Sequence, residues 1–183
     1  MAKLIARYGI IGGVIVVIPM LLQWLLLKPG ESPPESFLLG YAVMLVALTT
    51  VFLGVKQYRD KTLGGVIRFL PALGVGLAIS TVASLFYVIG WEIVVAFGSF
   101  DFTGFWAKSM IAGAKARHVS AAELQQVITE AENFTRMYSK PWFRMPMTFV
   151  EIFPVGVLIS LISAALLRNS RFLPAKPLVS GGN

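Results

Sequence analysis

Four stretches of this chain, Tyr8 to Leu27, Ser36 to Val55, Phe69 to Trp91 and Ile152 to Leu167, contain no Asp, Glu, Lys or Arg. A hydrocarbon layer about 30 Å thick is crossed by roughly 20 apolar residues at 1.5 Å of rise each. Each stretch has that length or reaches it with its immediate flanks. The pattern predicts an all-α polytopic membrane protein of one domain, 1–183, with transmembrane helices at about 4–27, 36–55, 69–97 and 146–167. Lys3 and Arg7 precede the first run as they would in a secretory signal. That run is about twice the usual signal length, however, and no small-x-small site follows it before Lys28-Pro29, so it is expected to stay as the first span.

The segments between the runs differ in character. Lys28-Pro29-Gly30-Glu31-Ser32-Pro33-Pro34-Glu35 is a short exposed loop, because proline removes backbone donors and biases the preceding residue to extended conformations. The second connection is a basic turn, Lys56-Gln57-Tyr58-Arg59-Asp60-Lys61, followed by Gly64-Gly65. The third, about 99–145, is far longer than a connector requires. In it Ser120-Ala-Ala-Glu123 has the spacing of a capping box. Leu124, Val127, Ile128, Ala131, Phe134 and Tyr138 then recur at steps of three and four, opposite Gln125, Glu130, Glu132 and Arg136. That is an amphipathic helix, ended by Pro141. Phe102, Phe105, Trp106, Met110 and Ile111 predict a second partly apolar helix upstream, broken near Gly113 and His118.

Charge fixes the expected orientation. Lys3, Arg7, Lys56, Arg59, Lys61, Arg68, Arg168, Arg171 and Lys176 flank the spans on one side, against Lys28 in the first loop. The positive-inside rule then puts both termini, the second loop and the tail 168–183 in the cytoplasm, and the amphipathic insert outside. The formal charge of +7 is spread in small groups beside apolar segments, which suits anionic lipid rather than nucleic acid. With no cysteine and His118 as the single histidine, no metal or cofactor is expected. Phosphate-loop, dinucleotide, nucleophile-elbow and HExxH motifs are absent, so no enzyme is expected.

Within the spans, Ala72, Gly76, Ser80 and Ser84 recur at every fourth position, as do Gly156, Ser160 and Ala164. Small residues at that interval let helices approach closely in lipid, so spans 3 and 4 are expected to pack together; Gly9 and Gly13 repeat the pattern in span 1. Pro71 and Pro154 are each expected to free a carbonyl and bend a span. Two carboxylates stand out at the outer ends of spans 3 and 4, Glu92 and Glu151. A charge at membrane depth is costly unless paired, hydrated or neutralised. Pairing with Arg144 or Lys140, to fasten the insert, is the structural interpretation. Ion or ligand handling from a shared cavity is the alternative.

The blocks Gly54-Val-Lys-Gln-Tyr-Arg-Asp-Lys61 and Met147-Thr-Phe-Val-Glu151-Ile-Phe-Pro154-Val-Gly156 resemble the bacterial four-span proteins grouped as domain of unknown function 4199. The resemblance extends from span 1 to Arg168. It implies a small bacterial inner-membrane protein and makes Arg59, Asp60, Glu151, Pro154 and Gly156 parts of motifs, with Arg59 and Asp60 as an ion pair stiffening the inner loop. It implies no activity. The function expected is that of a non-enzymatic accessory or structural component that binds membrane lipids or a membrane partner, self-association included. The alternative is a small oligomeric transporter or channel using Glu92 and Glu151.

Overall fold

The computed structural model describes residues 1–26, 37–99 and 101–175, which form six helices and no strand. These are α1 (Ala2–Leu25), α2 (Phe37–Gln57), α3 (Phe69–Phe97), α4 (Phe102–Ala116), α5 (Ala121–Tyr138) and α6 (Pro141–Leu167). A wider π-helical turn, Tyr58–Thr62, continues α2. Four helices, α1, α2, α3 and α6, are long and apolar enough to cross a membrane. The proline-rich first loop, Leu27, Ser36 and the tail from Lys176 onward lie outside the described residues.

The four long helices pack as a ring in the order α1, α3, α6, α2, with α2 also touching α3 across the middle. Their outer faces carry Leu22, Val46, Ile89 and Val150, each more than half exposed, a surface suited to hydrocarbon and not to water. Inside, Leu48, Val51, Val55, Ile79 and Leu167 fill the half of the bundle near the chain termini. Met20, Met44, Tyr87, Trp91 and Ile152 fill the other half.

Spans 3 and 4 meet along the predicted stripes. A methyl group added at Gly76 would lie 2.9 Å from the Ser160 Cβ, and one at Gly156 would lie 2.7 Å from the Ser80 Cβ. The Ser80 hydroxyl lies 3.2 Å from the Ser160 hydroxyl and donates to the Gly156 carbonyl at 3.2 Å. These serines therefore act as both thin packing surface and interhelical glue. In α1, Gly9 seats Val82 and Gly13 seats Phe86 of α3, while Gly12 seats Thr50 of α2. The register along α3 and α6 is antiparallel and regular: moving from Gly76 to Ser80 matches moving back from Ser160 to Gly156.

Two sequence expectations need correction. Helix α6 starts at Pro141, so 141–145, assigned above to the insert, is the first turn of the last span. Proline at the first helical position suits this, since its missing N–H would have no intrahelical acceptor. Pro71 falls at the third residue of α3 and, for the same reason, frees no carbonyl. Pro19, Pro146 and Pro154 do lie inside helices.

Helices α4 and α5 pack on one another at the end of the bundle opposite the chain termini, where α3 ends and α6 begins. Each has its own start signal. Asp101 accepts from the Gly104 N–H at 2.9 Å, and Ser120 accepts from the Glu123 N–H at 3.2 Å. His118, at φ 52°, makes the left-handed turn between them.

Candidate functional site

The hairpin end is held by one ion pair and a run of rings. Glu92, five residues before the end of α3, and Arg144, in the first turn of α6, form a two-pronged pair: Nε donates to Oε1 at 2.7 Å and Nη2 to Oε2 at 2.6 Å. The third guanidinium nitrogen, Nη1, donates to the Tyr138 carbonyl at 3.1 Å, so the same cation also takes up an unpaired carbonyl at the C-terminus of α5. The Arg144 side chain is 8% exposed and that of Glu92 21%, which removes most of the solvent screening that weakens surface pairs. Guanidinium is suited to this place because its planar fork matches a carboxylate and still has a donor for a third group.

Around that pair lies the aromatic run. The Trp91 indole N–H donates to the Tyr138 hydroxyl at 2.7 Å. Trp91 meets Trp24 of α1 and Phe102 of α4 edge to face, each at 5.3 Å between ring centres. Phe102 meets Tyr138 at 5.4 Å, Tyr138 meets Phe134 at 5.2 Å, and Phe134 meets Trp106 at 4.1 Å. The rings thus join α1, α3, α4 and α5 in one continuous contact, each pair contributing about 0.5–1.5 kcal/mol beyond its buried area. Burial holds the Tyr138 phenol above its ordinary range.

Glu151 is placed differently. It is exposed on the flank of α6, and its Oε1 accepts from the Tyr87 hydroxyl at 3.2 Å. Arg144 is taken by Glu92, and Lys140 lies over the Trp142 ring with its ammonium 6.0 Å from the ring centre. Residues 144 and 151 are two helical turns apart, or about 10 Å along α6. The two carboxylates therefore stand at different levels with different partners. Two shallow apolar grooves occur nearby, one of about 310 Å³ between α4 and α5 beside Ile111, Ile128 and Ala131, the other of about 320 Å³ on α6 beside Trp142, Pro146 and Val150. Neither is lined by Glu92 or Glu151. Among the described residues no three His, Cys, Asp or Glu side chains converge as a metal site.

With this geometry in view, the comparison with known families is direct. The chain matches, over residues 7–169, the family described as protein of unknown function (DUF4199). It belongs to that family. The match takes in all four spans and the hairpin. No curated protein and no solved structure matches the chain.

The remaining motif residues of this DUF4199 protein close the other end of the bundle. Arg59 is 0% exposed. Its Nε donates to Asp60 at 2.6 Å, its Nη1 to the Phe172 carbonyl at 2.9 Å and its Nη2 to the Leu173 carbonyl at 2.5 Å. Asp60 also receives the Lys56 ammonium, at 2.5 Å. Gly64 and Gly65, at φ 67° and 95°, turn the chain back so that the Gly65 N–H reaches the Arg59 carbonyl at 2.9 Å. Leu173 adopts φ 47°, a left-handed conformation unusual for leucine, and its carbonyl is one of those held by Arg59. Phe172 and Leu173 lie beyond the family match, although Arg59 lies within it.

Sequence reasoning singled out Glu92 and named Arg144 as a possible partner. It missed Tyr87, Trp91, Tyr138 and Phe102 as a group. Their aromatic character and positions near helix ends were visible, but their contacts cross four helices and no local spacing encodes them. Gly156 packs against Ser80 of α3, its carbonyl accepting from both Ser80 and Ser160, and Pro154, two residues earlier in α6, is exposed.

Proposed function

We propose that this DUF4199 chain is a non-enzymatic accessory or structural protein of the bacterial inner membrane that holds the α4–α5 hairpin at the outer surface and uses it to bind lipid or a membrane partner. The observation that carries this reading is the Arg144 guanidinium, which forks onto Glu92 of span 3 and donates its remaining nitrogen to the Tyr138 carbonyl at the end of α5, so that one cation joins both spans to the hairpin. Supporting it, the hairpin offers a shallow apolar groove beside Ile111 and Ile128, and α4 exposes Lys108, Lys115 and Arg117 at its side and end. Basic groups beside an apolar groove suit an anionic lipid surface or an acidic partner. The orientation, with both termini cytoplasmic, rests on the nine Lys and Arg residues counted above against Lys28.

Single cysteines test the reading, since the natural chain has none. In intact cells Ala122→Cys should react with a membrane-impermeant maleimide and Lys61→Cys should not. Native mass spectrometry from mild detergent should then show lipid or a second protein retained by the full chain and lost when Lys108, Lys115 and Arg117 are replaced by Glu. The reverse labelling pattern, or a bare chain, overturns it. The alternative, an oligomeric transporter or channel, is supported by the exposure of Glu151 within a span. Ion flux into proteoliposomes that disappears in Glu151→Gln while melting is unchanged would put that reading first.

A further inference from the structure

Glu151 is out of keeping with its surroundings. It projects from the flank of α6 beside Val150 (64% exposed), one turn from Met147 and Pro154 and two turns from Leu158, a strip that otherwise belongs to hydrocarbon. Acidic side chains within spans ordinarily face the bundle interior or pair with a neighbour. Here one oxygen accepts from Tyr87 and, among the described residues, no donor reaches the other. On the adjoining helix α2, Tyr41 is 55% exposed and has no hydrogen-bond partner among the described residues; two turns farther along the same face of α2, Leu48 packs at Gly156 of α6, which puts Tyr41 near the level of Glu151. A free phenol donor and a half-used carboxylate acceptor thus share one face of the bundle, where α2 and α6 adjoin.

We propose that this face is a contact between two copies of the chain within the membrane, in which Tyr41 of each copy donates to Glu151 of the other. A two-fold axis presents the same patch to itself, so a patch carrying both a donor and an acceptor completes two hydrogen bonds at once. In lipid, where no hydrophobic drive brings helices together, such bonds and the close packing of side chains such as Val150 and Leu158 supply the association. A second copy fits better than a phospholipid: acyl chains have no donor, and headgroups lie near the level of Arg144 and Trp142, about 10 Å farther out along α6. This inference is independent of what the hairpin binds.

The test uses the full chain in phosphatidylethanolamine and phosphatidylglycerol vesicles. Under mild oxidation Val150→Cys should form a disulfide-linked dimer, and Ile18→Cys, 51% exposed on the diagonally opposite helix α1, should not. Energy transfer between labelled copies should report association weakened about tenfold in Glu151→Leu, the equivalent of about 1.4 kcal/mol. Tyr41→Phe should weaken it in the same direction, and Glu151→Gln, which still accepts from a phenol, should keep most of it. Should Glu151→Leu fail to fold, Tyr41→Phe decides, because it deletes only an exposed hydroxyl. Equal cross-linking at Ile18→Cys, a wild-type chain that stays monomeric, or association indifferent to Glu151→Leu and Tyr41→Phe overturns the proposal. A monomeric chain that retains a lipid lost in Glu151→Leu would assign the face to that lipid and overturn it as well. Failure of the hairpin to bind anything, with the dimer intact, sinks only the earlier reading.

Discussion

Arg144 uses three nitrogens on two elements, two on the Glu92 carboxylate and one on the Tyr138 carbonyl. Removing either partner leaves the other in a site with little water, so Arg144→Met or Glu92→Met should each cost about 3–5 kcal/mol of stability. The double substitution should cost less than the sum, because no unpaired charge remains. Thermal melting in detergent of the four proteins checks this, and additive losses would mean that the pair is not coupled. Tyr138 gives a prediction of opposite pH sense to a paired acid. Burial raises its phenol above the ordinary tyrosine range, so the folded chain holds the proton more tightly than the unfolded one. The stability this contributes is complete below about pH 10 and is lost as pH rises toward the raised value. The melting temperature of wild type should therefore fall faster above pH 10 than that of Tyr138→Phe. Glu92 was legible in the sequence as an acid at the end of an apolar run. Its partner was one of two basic residues at the start of a later helix, and only the packing of α6 on α3 chose between them.

At the scale of elements, the small-residue stripes of α3 and α6 allow a sharp contrast. A Cβ at Gly156 would stand 2.7 Å from Ser80, whereas one at Gly74 meets nothing within 4 Å. Gly156→Ala should thus destabilise the bundle by about 1–3 kcal/mol through overpacking, and Gly74→Ala on the same pair of helices should be nearly neutral. Denaturation in mixed micelles measures both, and equal effects would mean that the α3–α6 contact is looser than described. The stripe spacing was enough to foresee this pairing, because a period of four places every such residue on one line of a helix. The start of α6 was not foreseen. Pro141 was expected only to end the amphipathic helix, with the last span beginning at about 146, yet proline is tolerated at a helix start and α6 begins there.

Across the whole molecule each end of the bundle is closed by an arginine. Arg144 ties the hairpin to the spans, and Arg59 ties the segment 172–173 to the end of α2. The two closures should open separately, since local unfolding follows local contacts. Arg59→Ala is expected to speed proteolysis within 168–175 and leave hydrogen exchange of α4 and α5 unchanged, with Arg144→Ala giving the converse. Arg59→Lys should not rescue, because an ammonium lacks the planar fork that meets Asp60 and two carbonyls together. Joint loosening of both ends in either variant would show a single cooperative unit. The sequence alone determined the four long apolar helices, the two shorter helices between the third and fourth, and the stripes on which α3 and α6 meet, because length, hydropathy and periodicity act locally along the chain. Only the tertiary structure decided which charges are paired, that Glu92 and Glu151 have separate partners at separate levels, and that rings from α1, α3, α4 and α5 join. Those facts depend on the register and rotation of helices distant in sequence, which no spacing within one segment contains.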